Sequence, residues 1–393
     1  MNKNVVIVVD DEVDLATFVC EVATEQGFES HAYHNGNKFL KEYDFKADVI
    51  FLDLMMPDID GIEVIRHLGE HKCTTQLVLM SGVDSSILHS AQQLALAQGL
   101  NIITTITKPI RLKELKHILD NISKHIHLCP VIQENKRIDA EDLKKAFIDD
   151  ELVVYYQPKL DLHDANVLAV EALVRWKHPT KGLIPPMDFI SIAEENNLID
   201  ELTWIVLEKS LQQCAKWNQD SLEVKISVNM SAITLKDLTI PEFITKMLKK
   251  YKVKPSQLML EVTESALMEE LITSLDILTR LRLNGIALSI DDFGTGYSSL
   301  MQLHRVPFSE IKIDQSFVKN ISNDPESLAI AETVLMLGHK LNMSVVAEGV
   351  EDVAVLQILK DMGCDKIQGY YIQKPQEADI ITKWLKESSK RFG

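Results

Sequence analysis

Short apolar, β-branched runs alternate with amphipathic stretches of helical period over the first 125 residues. The pattern predicts strands at 5–9, 31–33, 49–52, 77–80 and 102–106, with helices between them such as 15–25 and 62–70. Five βα units of this kind predict a doubly wound, flavodoxin-like five-stranded parallel sheet, whose ligand site lies beyond the carboxyl ends of the strands. The polar residues at those ends are Asp10 and Asp11 after the first strand, Asp53 after the third, Ser81 after the fourth and Lys108 after the fifth. Three carboxylates, a hydroxyl and an ammonium on one rim suit phosphoryl transfer to a carboxylate. Two Asp would hold a divalent cation, the third would be the nucleophile, and Ser and Lys would bind the phosphoryl oxygens.

The periodicity fades from about residue 121, and Pro130 stops the helix that begins near Arg111. The expected organisation is therefore a first domain over 1–125, a linker over 126–138 and a second domain over 139–393. Two strands open the second domain, at 153–161 and 167–176, separated by only five residues. That is too short for a parallel crossover, so they should form an antiparallel hairpin. Strand and helix then alternate, with strands at 224–228, 258–262, 286–290, 311–313, 344–347 and 366–368. Eight strands with intervening helices predict a modified TIM (β/α)8 barrel with one antiparallel strand, and chemistry on its carboxyl-terminal rim.

Read in order, the strand ends of that barrel carry Glu171, Asn229, Glu261 with Glu264, Asp291 with Asp292, Lys312 with Asp314, Glu348 and Gln368. In the Asp291-Asp292 pair each carboxylate raises the other's pKa unless a cation lies between them. The alternative, an acidic turn, accounts for one such end but not for so many, because an unpaired buried carboxylate costs several kcal/mol. Hard oxygen donors without Cys or paired His select Mg2+ or Mn2+ over zinc. Two ions bridged by one carboxylate suit phosphodiester hydrolysis. Arg175 could serve merely as a rim partner for a carboxylate, and Glu351 and Asp314 divide evenly between supporting and structural roles. Trp176, Trp204 and Trp217 are expected to pack, and Glu194-Glu195 to lie on a solvated helix face.

Composition narrows the choices. Lys plus Arg number 41 against 58 Asp plus Glu, a net charge of −17. This repels nucleic-acid polymers and anionic membranes, and an anionic small substrate needs cations or local Arg and Lys to reverse the field. Five scattered cysteines without a C-x-x-C pair fit a reducing, cytoplasmic setting. No signal peptide is expected, and residues 85–107, although uncharged, contain too many Gln, Ser and Thr to span a membrane. His125 and His127, with Cys129 close by, mimic a metal tract but read as linker surface.

Asp10, Asp11, Asp53, Ser81 and Lys108 together resemble the receiver domain of bacterial response regulators. The resemblance implies that Asp53 is the phosphoacceptor, that Asp10 and Asp11 hold Mg2+, and that Ser81 and Lys108 sense the phosphoryl group. It also implies a sensor histidine kinase or phosphotransfer protein as partner. Thr105 stands where receivers often carry a switch aromatic, so this chain departs from the commoner pattern there.

The second domain resembles the EAL family of cyclic di-GMP phosphodiesterases. The residues that carry the resemblance are Tyr156-Gln157-Pro158, Glu171-Ala172-Leu173-Val174-Arg175-Trp176, Asp291-Asp292-Phe293-Gly294-Thr295-Gly296-Tyr297-Ser298-Ser299-Leu300, Ile311-Lys312-Ile313-Asp314 and Glu348-Gly349-Val350-Glu351. The resemblance implies that Glu171, Asn229, Glu261 and Asp291 ligate one Mg2+ or Mn2+, and Asp291 with Asp292 the second. Lys312 and Glu348, with Asp292, would act on the attacking water. Arg175 would hold a substrate phosphate, and Gln157, Asp314 and Gln368 would lie against the nucleotide. Glu264 and the Gly294-Thr295-Gly296 loop would couple the second ion to a dimer or higher homo-oligomer. The implied activity is hydrolysis of cyclic di-GMP to the linear dinucleotide pGpG under control of receiver phosphorylation. The alternative is a non-catalytic cyclic di-GMP sensor.

Overall fold

The computed structural model describes residues 4–43, 46–82, 85–128, 138–163, 167–264, 271–294, 303 and 305–388. The chain divides into two compact units, Met1–Lys136 and Arg137–Gly393.

The first unit holds strands β1 (Val5–Val9), β2 (Glu29–Tyr33), β3 (Val49–Asp53), β4 (Gln76–Ser81) and β5 (Asn101–Thr107). They form a parallel sheet in the order β2-β1-β3-β4-β5. This is the doubly wound arrangement that the βα rhythm predicts. All five residues of β3 are buried, as expected of a central strand covered on both faces. The helix Gly61–Glu70, capped by Asp60 through the Glu63 amide, packs so closely on β3 that a Cβ at Gly61 would lie 2.5 Å from the Asp53 carbonyl oxygen. Glycine there lets the helix approach the strand that ends in Asp53.

The second unit is a closed barrel. Its strands are β6 (Leu152–Asp161), β7 (Val167–His178), β9 (Lys225–Met230), β10 (Leu258–Thr263), β11 (Ala287–Phe293), β12 (Glu310–Ile313), β13 (Ser344–Ala347) and β14 (Lys366–Gln368). Neighbours from β7 through β14 pair in parallel, whereas β6 pairs antiparallel with both β7 and β14 and closes the ring. The inverted strand is thus the one that the short hairpin connection singles out. Two short strands that the sequence pattern did not reveal extend the wall: β8 (Gly182–Ile184) on β7 and β15 (Gln376–Glu377) on β6.

A continuous apolar core surrounds the barrel strands and includes Trp176 and Trp217, as their predicted packing role requires. Trp204 stacks edge-on against Phe243, while Glu194 and Glu195 are exposed. Among the described residues, no helix is long and apolar enough to cross a membrane.

Candidate active site

Both units gather carboxylates around a lysine at the carboxyl ends of parallel strands. In the first unit, Asp10 and Asp53 are buried, and Lys108 Nζ lies 3.0 Å from Asp10 Oδ2 and 2.9 Å from Asp53 Oδ2. Glu12, which the sequence pattern did not single out, takes a third contact from the same ammonium at 2.9 Å. Burial pushes the Asp10 and Asp53 carboxyls up, against the hydrogen bond from Lys108. Burial also opposes the charge of Lys108, but its bonds to Asp53, Glu12 and Asp10 outweigh it and hold the ammonium charged. Oxygens of Asp10, Asp11 and Asp53 lie within 4.8 Å of one another. Asp10 Oδ2 is buried without a well-directed hydrogen bond, so the cluster has an acceptor to offer a cation. Ser81 is buried at the end of β4, and its carbonyl accepts from the Lys108 amide at 2.7 Å. Thr105 lies half-buried on β5, opposite Leu79.

In the barrel, parallel registry sets Glu171 of β7 beside Ser227, Glu261 of β10 beside Asn229, and Thr263 beside Asp291. Lys312 projects from β12 into this ring, with its ammonium 2.8 Å from Glu261 Oε2, 3.0 Å from Asp291 Oδ2, 2.7 Å from Glu348 Oε1 and 3.8 Å from Glu171 Oε2. Successive side chains of a regular strand point to opposite faces, yet Asp291 and Asp292 both serve the rim. The chain achieves this with a register shift between Ile290 and Phe293 and a left-handed backbone at Asp292, φ 54°. An irregularity of this kind re-aims side chains at the end of a strand.

Two carboxylate clusters result. Oxygens of Glu171, Glu261 and Asp291 lie within 4.8 Å of one another, as do those of Asp291, Asp292 and Glu348, so Asp291 belongs to both. The electrostatics show what this crowding costs. Burial, then Asp291 and Asp314, pushes Asp292 up to about 6. Burial pushes Glu348 up to about 8 against the pull of Lys312, with Asp291 and Glu171 adding to the rise. Glu171 is likewise raised, chiefly by burial. Glu261 moves the other way: burial is outweighed by two ammonium groups, those of Lys159 and Lys312.

The remaining rim residues have definite partners. Asn229 is exposed and donates to Glu171 Oε1 at 2.9 Å. Gln368 donates to Glu171 Oε2 at 2.6 Å and to Gln157 Oε1 at 3.0 Å, while Gln157 donates to the Gln373 carbonyl at 3.1 Å. Gln368 Oε1 is buried without a partner. Arg175 donates to the Val174 carbonyl at 2.8 Å and lies over the Tyr155 ring; burial lowers its pKa. Glu264 is buried and accepts from the Gly294 amide at 3.1 Å. Asp314 caps the helix Gln315–Asn320 through Ser316, and Glu351 pairs with Lys319 at 2.9 Å. Thr295 and Gly296 lie outside the described residues, as do the side chains of His125 and His127.

A pocket of about 260 Å3 opens above the ring, lined by Glu171, Asp291, Lys312, Glu348, Arg175, Gln157, Gln368 and Tyr370 among others. Two residues beneath it were not foreseen from the sequence. Lys159 of β6 and Glu310 of β12 are fully buried charges inside the barrel. The signal was present as a lysine inside an apolar strand and a glutamate opening another.

A pocket floored by oxygen donors, on the carboxyl-terminal side of a (β/α)8-type barrel, defines a binding or catalytic barrel with carboxylates able to hold a cation, in a chain that also carries a doubly wound sheet domain. Residues 140–375 match the EAL domain and residues 6–120 the response regulator receiver domain. The chain belongs to the EAL-domain family and carries an N-terminal receiver domain.

It is 32% identical to the cyclic di-GMP phosphodiesterase RocR of Pseudomonas aeruginosa, over 84% of either chain. It is 44% identical to an uncharacterized signaling protein of Caulobacter vibrioides over 64% of this chain and 31% of that protein, so it spans about a third of that relative's length. Among solved structures, the phosphodiesterase PaMucR in complex with c-di-GMP matches 61% of this chain and 98% of its own, at 39% identity and a TM-score of 0.59. The FimX EAL domain from Pseudomonas aeruginosa, bound to c-di-GMP, matches 60% of this chain and 94% of its own, at 25% identity and a TM-score of 0.55.

Proposed function

We propose that this protein hydrolyses one phosphodiester bond of cyclic di-GMP, releasing linear pGpG, and that phosphorylation of its receiver at Asp53 regulates the rate. The observation that carries the reading is the pair of carboxylate clusters sharing Asp291 beneath the pocket. Four rim carboxylates, Glu171, Glu261, Asp291 and Glu348, face Lys312, and among them Glu261 also pairs with a second lysine, Lys159. Buried acidic charge in this excess calls for cations. Glu171, Asn229, Glu261 and Asp291 would hold one Mg2+ or Mn2+, and Asp291 with Asp292 the other. When bound, the two cations supply Lewis acidity toward the phosphodiester.

The chain's own residues supply the rest. Burial makes the Glu348 carboxylate more basic than an ordinary one, which suits it, once ionised, to take a proton from an attacking water. Lys312 donates to Glu261 and Asp291 and lies against Glu348, fixing all three relative to that water. Arg175 at the pocket wall suits a phosphate of the substrate. Gln157 and Gln368, linked by a hydrogen bond, present amide groups to a guanine edge, and the unpartnered Gln368 Oε1 is an acceptor for it. Asp314 adds to the acidic field at Asp292 and borders the nucleotide. Glu264, which accepts from the Gly294 amide, would act with Gly294, Thr295 and Gly296 to couple the second ion to contacts with a second copy of the chain.

In the receiver, Asp53 accepts the phosphoryl group, Asp10 and Asp11 hold Mg2+, and Ser81 and Lys108 bind the transferred oxygens. The phosphodonor is a histidine kinase or phosphotransfer protein in the cytoplasm. Incubation of the purified protein with cyclic di-GMP and Mg2+, followed by chromatography, should show the linear dinucleotide, and Glu171→Ala should abolish it. Binding without product, with either Mg2+ or Mn2+ and with or without a phosphodonor, would make the protein a sensor.

A further inference from the structure

The charges inside the barrel form a column that the rim chemistry does not require. Lys366, partly exposed on β14, donates to Glu310 Oε2 at 2.8 Å. Glu310 Oε1 lies 3.2 Å from the Lys159 ammonium, which in turn lies 2.5 Å from Glu261 Oε1. Glu261 Oε2 then meets Lys312 at 2.8 Å. Positive and negative groups alternate at every step from Lys366 to Lys312. Lys159 is 2% exposed and Glu310 1% exposed, and Ser227 Oγ accepts a further bond from Lys159 at 3.0 Å. Removing two such charges from water is costly, and a well-packed apolar pair of similar volume would serve stability as well. The pair must therefore be explained by what it holds.

It holds Glu261. One carboxylate oxygen is fixed by Lys159, from the inverted strand β6, and the other by Lys312, from β12, two strands along the ring. The carboxylate therefore has a single orientation, with its plane set by two ammonium groups on different strands. Glu310 and Ser227 fix Lys159 in turn, and Lys366 fixes Glu310.

We propose that Lys159 is a positioning residue of the EAL site. Braced by Glu310, it sets the orientation in which Glu261 meets a divalent cation. The proposal rests on the reading of Glu261 as a cation ligand given above. It opposes the simple electrostatic expectation. A positive charge beside a ligand repels a cation, so deleting Lys159 for its charge alone would tighten cation binding. Loss of orientation loosens it, and groups that orient ligands are typically worth 10- to 100-fold in affinity.

The test is Lys159→Met combined with Glu310→Met, which removes one charge of each sign and leaves the net charge of the barrel unchanged. Mn2+ binding to the full-length protein is followed by calorimetry without nucleotide, alongside the melting temperature. The doubled variant is expected to melt near the native protein and to bind Mn2+ at least about tenfold more weakly. Lys159→Gln, whose amide still reaches toward Glu261 without the charge, should lie between the two. Native-like Mn2+ affinity in a folded doubled variant, or tighter binding in Lys159→Gln, would overturn the proposal. So would loss of a cooperative melting transition in both variants, since the lysine would then belong to folding. Failure of the native protein to bind Mn2+ at the barrel, read against Glu261→Gln, would instead overturn the cation reading on which the proposal rests.

Discussion

The receiver rim and the barrel rim solve the same problem with different depths of support. Each places a lysine among carboxylates at the ends of parallel strands, because strand ends on one side of a parallel sheet converge there. In the receiver a single lysine, Lys108, serves Asp10, Glu12 and Asp53, and its outermost partner Glu12 is exposed to water. In the barrel, Lys312 serves Glu171, Glu261, Asp291 and Glu348, and a second buried lysine stands behind Glu261. A site proposed to accept and lose a phosphoryl group needs one ammonium that can pass from carboxylates to the transferred oxygens. A site that must hold cations in register gains from ligands locked by buried partners. The difference fits the proposed roles, with the receiver rim as input and the barrel rim as output.

Removing a shared ligand should have the largest effect. Asp291→Asn takes one carboxylate from both clusters, and turnover of cyclic di-GMP is expected to fall by more than the roughly 100-fold seen when only a supporting group is lost. Steady-state rates at saturating Mn2+ check this. Next comes Lys312→Ala, which leaves several buried carboxylates facing one another. Breaking a buried charge pair typically costs about 3–5 kcal/mol, so the metal-free variant should melt well below the native protein. Because the lost charge is replaceable, Mn2+ should recover part of the difference, as thermal melts with and without the ion would show.

The pH dependence of cation binding sharpens the contrast further. Asp292 at about 6 holds a proton that a cation must displace, and Glu348 at about 8, in the same cluster, adds its negative charge to the cation's field only as it ionises. Affinity for Mn2+ at the barrel should therefore rise as pH climbs from about 5.5 to 8.5 and level off above. The same groups act on the metal-free fold. Their folded pKa values lie above the unfolded ones, so the stability they contribute is present below the ordinary carboxylate range and is lost as pH rises through about 6 and then 8. Calorimetric titrations at several pH values, with melting curves beside them, would test both signs. The smallest effect expected is at the receiver. Asp53→Ala should block phosphoryl uptake from a small-molecule donor, read by intact mass, and remove whatever change in turnover that donor causes in the native protein.

Much of this was legible in the sequence because strand periodicity and strand ends are local signals. The eight barrel strands appear within three residues of their predicted bounds, and the five-residue connection between 161 and 167 suffices to identify the inverted strand. What escaped depends on register. Lys159 reads locally as one polar residue in an apolar strand, and only the pairing of β6 with β7 and β14 turns it inward toward Glu261. Glu310 opens its strand and looks like an ordinary boundary residue until β12 is set against β11 and β13. The register shift that lets Asp291 and Asp292 share the rim is equally silent in the text, since two adjacent aspartates in a regular strand would diverge. The short strands β8 and β15 escaped because two or three residues carry no period.

The most direct test of the shared-carboxylate account is a crystal structure of the protein with Mn2+ and cyclic di-GMP, with data collected at the manganese absorption edge. Two anomalous peaks flanking the Asp291 carboxylate, one against Glu171, Asn229 and Glu261 and the other against Asp292, are the predicted result. A single peak, or a nucleotide held in the pocket with Lys312 still occupying the ring and no ion beside Asp291, would contradict it.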